Sequence, residues 1–223
     1  MTAEFINGVL HKHRDPARAS QMKAYMKNHF EFMGISSPDR KSILRDILKG
    51  SRKLNKDEII ALIHDLWESP ERESQYAAML LIDANLKKFD KLDIVHAEDW
   101  ITTKSWWDTV DHLASHLVGR ILDVAPEIRD ETIDKWMVSE NMWLQRTCLL
   151  FQLSYREQTD FDLLKSMIED LRLKNEFFIQ KAIGWALRQY SKTNAFAVRE
   201  FVDETQLSGL ASREAMKWLK RHK

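Results

Sequence analysis

Cysteine is nearly absent from this chain. One residue, Cys148, excludes an internal disulfide and any zinc site built on paired thiolates. Breakers are scarce as well, with six Gly and four Pro among 223 residues. Runs of β-branched residues are few, so the chain should be helical throughout. No apolar run approaches the roughly 18 residues that span a bilayer. Met1 to Arg14 contains acidic and basic residues where a signal peptide would have its apolar core. A soluble, intracellular protein is expected. Net charge is absent too: 34 basic and 34 acidic residues cancel, so only an uneven distribution over the folded surface could serve a polyanionic partner. There is no phosphate-binding glycine loop, no Gly-x-Ser-x-Gly elbow and no dinucleotide fingerprint, which removes NTPase, triad-hydrolase and dehydrogenase chemistry.

What is present is order and periodicity. With 44% hydrophobic and 30% charged residues, the composition is that of a folded protein. Asp15-Pro16 predicts a helix running to about His29, and Gly34 ends the next short piece. Ser37-Pro38 predicts a helix from Asp39 to about Lys49, closed by Gly50. Helices then come in pairs: about 55 to 67 with 70 to 86, 90 to 101 with 105 to 122, 126 to 138 with 141 to 154, 160 to 172 with 175 to 191, and 193 to 204 with 211 to 221. The second members start at Pro70, Ser105, Asn141, Asn175 and Ser212, about 35 residues apart. The fold class predicted is all-α, an α-solenoid of stacked antiparallel helix pairs whose second helices line one, concave, surface. The whole chain, 1–223, reads as a single domain of this kind.

Aligning the second helices on their starts puts Arg72, Trp107 and Trp143 at offset two, Arg146 at five, Asp111 and Lys181 at six, Trp185 at ten and Arg188 at thirteen. These offsets form one helical stripe. Ala78, Leu113, Leu149 and Ile183 share offset eight, a core row. Tryptophan, arginine, lysine and one aspartate facing a common groove describe a channel for a polyanion.

Within Thr103-Lys-Ser-Trp-Trp-Asp-Thr-Val-Asp111, Trp107 and Asp111 stand one helical turn apart, so an aromatic wall and a carboxylate are presented together. That pairing suits a reaction in which positive charge develops. On residue chemistry alone, the commoner role for such a pair is a packed indole and a solvated carboxylate; Trp185 would be core, and Arg146 and Arg188 would make surface ion pairs. His112 and His116 have helical i, i+4 spacing, but the glutamate of His-Glu-x-x-His and a third ligand nearby are missing, so no metal is assigned. Cys148, in an apolar stretch, should be buried and inert.

At Lys104-Ser-Trp-Trp-Asp-Thr-Val-Asp111, Met142-Trp-Leu-Gln-Arg146 and Phe177-Phe-Ile-Gln-Lys-Ala-Ile-Gly-Trp-Ala-Leu-Arg188, the chain closely resembles the AlkD-like family of bacterial DNA alkylation repair glycosylases. Tyr25-Met-Lys-Asn-His-Phe30 and Trp67-Glu-Ser-Pro-Glu-Arg-Glu73 extend the resemblance, which runs from about Ala19 to Leu219. It implies a HEAT-like repeat fold holding duplex DNA, removal of positively charged N3- and N7-alkylated purines without base flipping, and catalysis by Asp111, Trp107 and Trp185 around the sugar. Arg146 is implied as a contact to the DNA backbone, with Arg188 a second; Lys104, Lys181 and Tyr25 are further DNA-binding candidates. The turn before Pro38 reads Ser36-Ser37, where the family tends to carry a longer polar side chain and a threonine. No cofactor or metal is expected. The expected partner is double-stranded DNA containing alkylated bases, bound by a monomer, cytoplasmic and nucleoid-associated in a bacterial cell. The competing expectation is a non-catalytic helical-repeat scaffold for DNA or protein.

Overall fold

Cap chemistry sets where the helices begin. In the computed structural model, which describes residues 1–222, α1 spans Ala3–His11 and α2 spans Pro16–Tyr25, the latter opened by the Asp15 side chain accepting from the Arg18 N–H at 3.0 Å. Two short helices follow, α3 (Ser37–Ile43) and α4 (Arg45–Ser51), then α5 (Lys56–Glu68) and α6 (Arg72–Asn85). An Asn55–Glu58 capping box starts α5. Next come α7 (Ile94–Thr102), α8 (Trp107–His112), α9 (Gly119–Val124), α10 (Arg129–Val138) and α11 (Met142–Leu150). The chain closes with α12 (Phe161–Leu171), α13 (Phe177–Tyr190), α14 (Ala195–Glu204) and α15 (Gly209–Arg221). Among the described residues the extended backbone pairs only at an isolated Glu31–Glu71 bridge, and no helix is long and apolar enough to cross a membrane. The all-helical, paired architecture expected from the sequence is borne out.

Two expected boundaries are corrected. The helix predicted to reach His29 stops at Tyr25, because Lys27 and Asn28 turn to φ 57° and 61°, outside helical space. The helix predicted from Asp39 to Lys49 is broken at Leu44, and Gly50 lies inside α4 instead of closing it.

The chain divides into two compact units, Met1–Asp90 and a second from Lys91 onward. In the first, the loop before α3 is built on a buried acid. Glu73 accepts the backbone N–H groups of Met33, Gly34 and Ile35 at 2.9, 2.8 and 3.0 Å, so three amide dipoles offset the cost of burying its charge. Gly34 is required there: at φ 90°, a Cβ would fall 2.1 Å from the Asp15 carbonyl oxygen. Arg72, expected on the polar stripe, is instead fully buried, its guanidinium 3.8 Å above the Phe30 ring. Its position at the very start of α6 turns it into the unit.

In the second unit, α8, α11, α13 and α15 pack in sequence as one layer, with α7, α10, α12 and α14 against them. The core row is confirmed: Ala78, Leu113, Leu149 and Ile183 are all buried. Tryptophans separate by layer. Trp67, Trp100 and Trp136 sit on the first helices of their pairs and are fully buried, whereas Trp143 and Trp185, on second helices, are only partly covered, as are Trp106 and Trp107 around the start of another.

Glutamines bind the pairs together. Gln145 Nε2 donates to the carbonyls of Met137 and Ser139, and Gln180 Nε2 to those of Arg172 and Lys174; in the first unit Gln75 does the same for Leu66, Trp67 and Ser69. Each satisfies carbonyls left open around the end of the preceding helix, at about 1 kcal/mol per bond. The position of this repeat in the α7–α8 pair is Val110, whose side chain has no donor. The connector before α8 holds a left-handed lysine, Lys104 at φ 50°.

Candidate active site

The connector after α7 delivers a helix that presents an indole and a carboxylate together. Trp106 opens α8, and Val110 and Thr109 turn into the core, which leaves Trp107 and Asp111 one turn apart on a partly exposed face. Below Asp111 the helix widens into a π turn over Leu113–Val118 before resuming as α9, a distortion that concentrates at functional positions in helices.

Asp111 is clasped by Arg146 of α11. Nε donates to Oδ1 at 2.6 Å and Nη2 to Oδ2 at 2.8 Å, a two-point pairing that fixes the plane of the carboxylate. Nη1 of the same guanidinium donates to the Phe178 carbonyl of α13. The side chains are 13% exposed for Asp111 and 5% for Arg146, so both keep some contact with solvent, the acid more than the arginine. Burial pushes the Asp111 carboxyl above the ordinary range; the hydrogen bond and charge of Arg146 oppose this without cancelling it, and the charge of Asp108 adds to the rise.

An aromatic cluster adjoins the pair. Trp106, Trp143 and Phe178 meet edge-on or tilted, with centroids 5.0 to 5.8 Å apart, and the Arg146 guanidinium lies 5.8 Å from the Phe178 ring. Asn141 sets this wall by capping α11, its side chain accepting from Trp143 and Leu144 N–H. Trp106 and Phe178 are neighbours of the residues predicted from sequence and were given no role there.

On α13, Lys181, Trp185 and Arg188 fall on one face at i, i+4 and i+7. Both cations reach Glu214 of α15, Lys181 at 2.7 Å and Arg188 at 2.9 Å, and Lys217 joins them at 2.6 Å. Hydrogen bonds from Lys181 and Lys217 hold Glu214 down at about 2 although burial works the other way. The helices can come this close because residue 184 is glycine: a Cβ there would lie 2.3 Å from the Glu214 Cβ. Sequence reading missed Glu214 and Lys217, since α15 was paired only with its own repeat partner.

The remaining candidates are placed as follows. Lys104 sits in the connector before α8. Tyr25 belongs to the first unit, 70% exposed at the end of α2 and beside a cavity whose lining includes Met22, Phe32, Arg40 and Tyr76. His112 and His116 stack on one another with centroids 4.0 Å apart. Cys148 is buried, and its thiol is pushed up by desolvation, as expected of an inert core cysteine.

What the second unit offers is one partly exposed carboxylate, oriented by an arginine and walled by aromatics, with a cationic cluster on the same layer of helices. Comparison with known proteins gives this a context. A family model described as DNA alkylation repair enzyme matches residues 6–219. Nothing among curated proteins matches. A solved structure, a predicted DNA alkylation repair enzyme from Enterococcus faecalis, is similar at 38% identity with a TM-score of 0.87, covering 92% of this chain and 96% of that one. Since the match runs through both units and through the helices that hold Asp111, Arg146 and Trp185, the chain belongs to the DNA alkylation repair enzyme family.

Proposed function

We propose that this DNA repair enzyme is a monofunctional glycosylase that hydrolyses the N-glycosidic bond of positively charged N3- and N7-alkylated purines in duplex DNA. The observation that carries this is the Asp111–Arg146 pair: a carboxylate held in plane by two hydrogen bonds, on a side chain that is still 13% exposed. Phosphate binding alone has no use for such a group among cations. A cationic reaction centre does.

An alkylated purine with a formal positive charge leaves as a neutral base and needs no general acid. As the bond between C1′ and the base nitrogen breaks, its electron pair goes to the base and the sugar becomes oxocarbenium-like. Asp111 stabilises that charge and orients the water whose oxygen forms the new bond to C1′, accepting the proton it releases. An acid whose affinity for protons is raised by burial is suited to that acceptance. Trp107 and Trp185 contribute ring faces to the cation and exclude loose water. Arg146 acts first on Asp111, fixing its orientation; its contact to the DNA backbone would come from donors that remain after that pairing. Arg188, Lys181 and Lys104 are proposed contacts to the DNA, with Tyr25 a separate one in the first unit.

Catalysis through the sugar lets the lesion stay in the stack, so selectivity should follow leaving-group charge. Release of 7-methylguanine and of uracil from the same duplex tests this: 7-methylguanine should be released and uracil should not, and equal rates would sink the reading. The protein is taken to act as a monomer, as a single domain over 1–223, and in the bacterial cytoplasm.

A scaffold reading keeps one observation in its favour. A buried, two-point Asp–Arg pair between α8 and α11 would also serve to fasten two repeats. Asp111→Asn separates the two, because a fastener is lost with the fold and a catalyst is lost without it.

A further inference from the structure

The cluster on α13 and α15 has more positive charge than its acid can use. Glu214 is 8% exposed at its side chain, while Lys181, Arg188 and Lys217, all within 2.9 Å of it, are 37%, 31% and 49% exposed. The carboxylate therefore lies beneath, and the three cations rise from it toward solvent. One cation would satisfy a buried carboxylate; the second and third add mutual repulsion. Three positive charges against one negative leave a surplus of two. Each ammonium uses one N–H on Glu214 and retains two, and the Arg188 guanidinium donates to Glu214 through Nη1.

We propose that Lys181, Arg188 and Lys217 form a cradle for one backbone phosphate of duplex DNA, with Glu214 as the residue that positions all three. The two non-bridging oxygens of a phosphodiester match several outward N–H donors, and two surplus charges exceed what one such group neutralises. The cradle flanks Trp185 on the same face of α13, so the phosphate it holds would belong to the strand whose sugar meets Trp185. This rests on the DNA-repair reading above and adds to it Glu214 and Lys217. Glu214 is a positioning residue: it touches the cations, and only they touch the phosphate. Its strongly lowered proton affinity keeps this anchor ionised at any pH where DNA is bound.

The test is the salt dependence of binding to an undamaged duplex, which does not depend on base release. Lys217→Gln should lower the steepness of log affinity against log salt by about one phosphate contact and weaken binding about five- to tenfold near 0.1 M salt. Lys165→Gln is the charge control, since Lys165 lies on α12 and pairs with Asp162. It should leave the steepness alone, and equal behaviour of the two variants would overturn the cradle. Glu214→Gln raises the net charge by one and so would tighten binding if the acid only neutralised its neighbours; weaker binding, with KM for 7-methylguanine release raised and kcat held, is expected. Tighter binding would overturn the positioning role. Lys217 is exposed enough for its variant to fold, and circular dichroism checks the Glu214 variant; an unfolded Glu214→Gln leaves the decision to Lys217→Gln. A wild type that binds duplex with the expected steepness but releases no base would defeat the glycosylase reading while sustaining the cradle.

Discussion

Two acids in the second unit, the largely buried Asp111 and the buried Glu214, are placed alike and behave oppositely. Each sits on a second helix of a pair and is met by cations from the neighbouring second helix, Arg146 for Asp111 and Lys181 with Arg188 for Glu214. Asp111 has one guanidinium, and burial wins: its proton affinity is raised. Glu214 accepts hydrogen bonds from Lys181 and Lys217, and these win: it is held at about 2. Which influence is larger, burial at Asp111 or lysine hydrogen bonds at Glu214, decides the difference. An acid whose proton affinity is raised is suited to take a proton in a reaction; one whose affinity is lowered is suited to holding cations in place.

The comparison breaks hardest at Arg146. Arg146→Gln would leave Asp111 buried without its charge partner, and about 3–5 kcal/mol of unfolding free energy should be lost in urea titration. A loss below about 1 kcal/mol would mean that solvent, not Arg146, compensates the carboxylate. In whatever fraction stays folded, Asp111 should titrate higher still, moving the acid limb of base release to higher pH. Next in size is Gly184→Ala, which tests how closely α13 and α15 must pack to bring the cations to Glu214. With a Cβ only 2.3 Å from that of Glu214 and 2.7 Å from the Ala211 carbonyl, it should cost about 1–3 kcal/mol by the same titration. No change would show that the helices part freely.

The smallest effect sharpens the contrast. Because the folded value of Glu214 lies below its ordinary 4.5, its contribution to stability is complete above that value and drains away as pH falls toward about 2. Glu214→Gln should therefore lose stability less steeply over that window, read from urea midpoints at successive pH values. Asp111, shifted the other way, contributes no such acid loss: its folded form binds protons more readily than the unfolded one, so its contribution weakens as pH rises above the usual carboxylate value. Identical slopes for wild type and the Glu214 variant would mean that Lys181 and Lys217 do not act on that acid.

Much of this architecture is legible in the residues. The 35-residue rhythm, the core row from Ala78 to Ile183 and the caps at Asp15, Asn55 and Asn141 are local signals, and local chemistry realised them. Trp107, Asp111 and Trp185 were legible as a face by spacing, while the pairing of Asp111 with Arg146 across 35 residues was not, because nothing in a stripe says whether two of its members touch. Arg72 failed for a related reason. It shares the stripe by offset, but the aromatic ring of Phe30 comes from a loop that periodicity does not place. The break at Leu44 and the left-handed Lys104 are backbone features without residue signatures, since neither falls on glycine or proline. Gln75, Gln145 and Gln180 were visible all along at the repeat spacing. Their meaning needed the carbonyls they clamp.

The central claim is that Asp111 does chemistry and Arg146 serves it. Release of free 7-methylguanine and 3-methyladenine from methylated duplex DNA, by wild type and Asp111→Asn side by side, tests it most directly. The account predicts release by wild type, a loss of about a hundredfold or more in the variant, and duplex binding retained by both. Release by a folded Asp111→Asn at the wild-type rate, or by neither protein while both bind DNA, would contradict it.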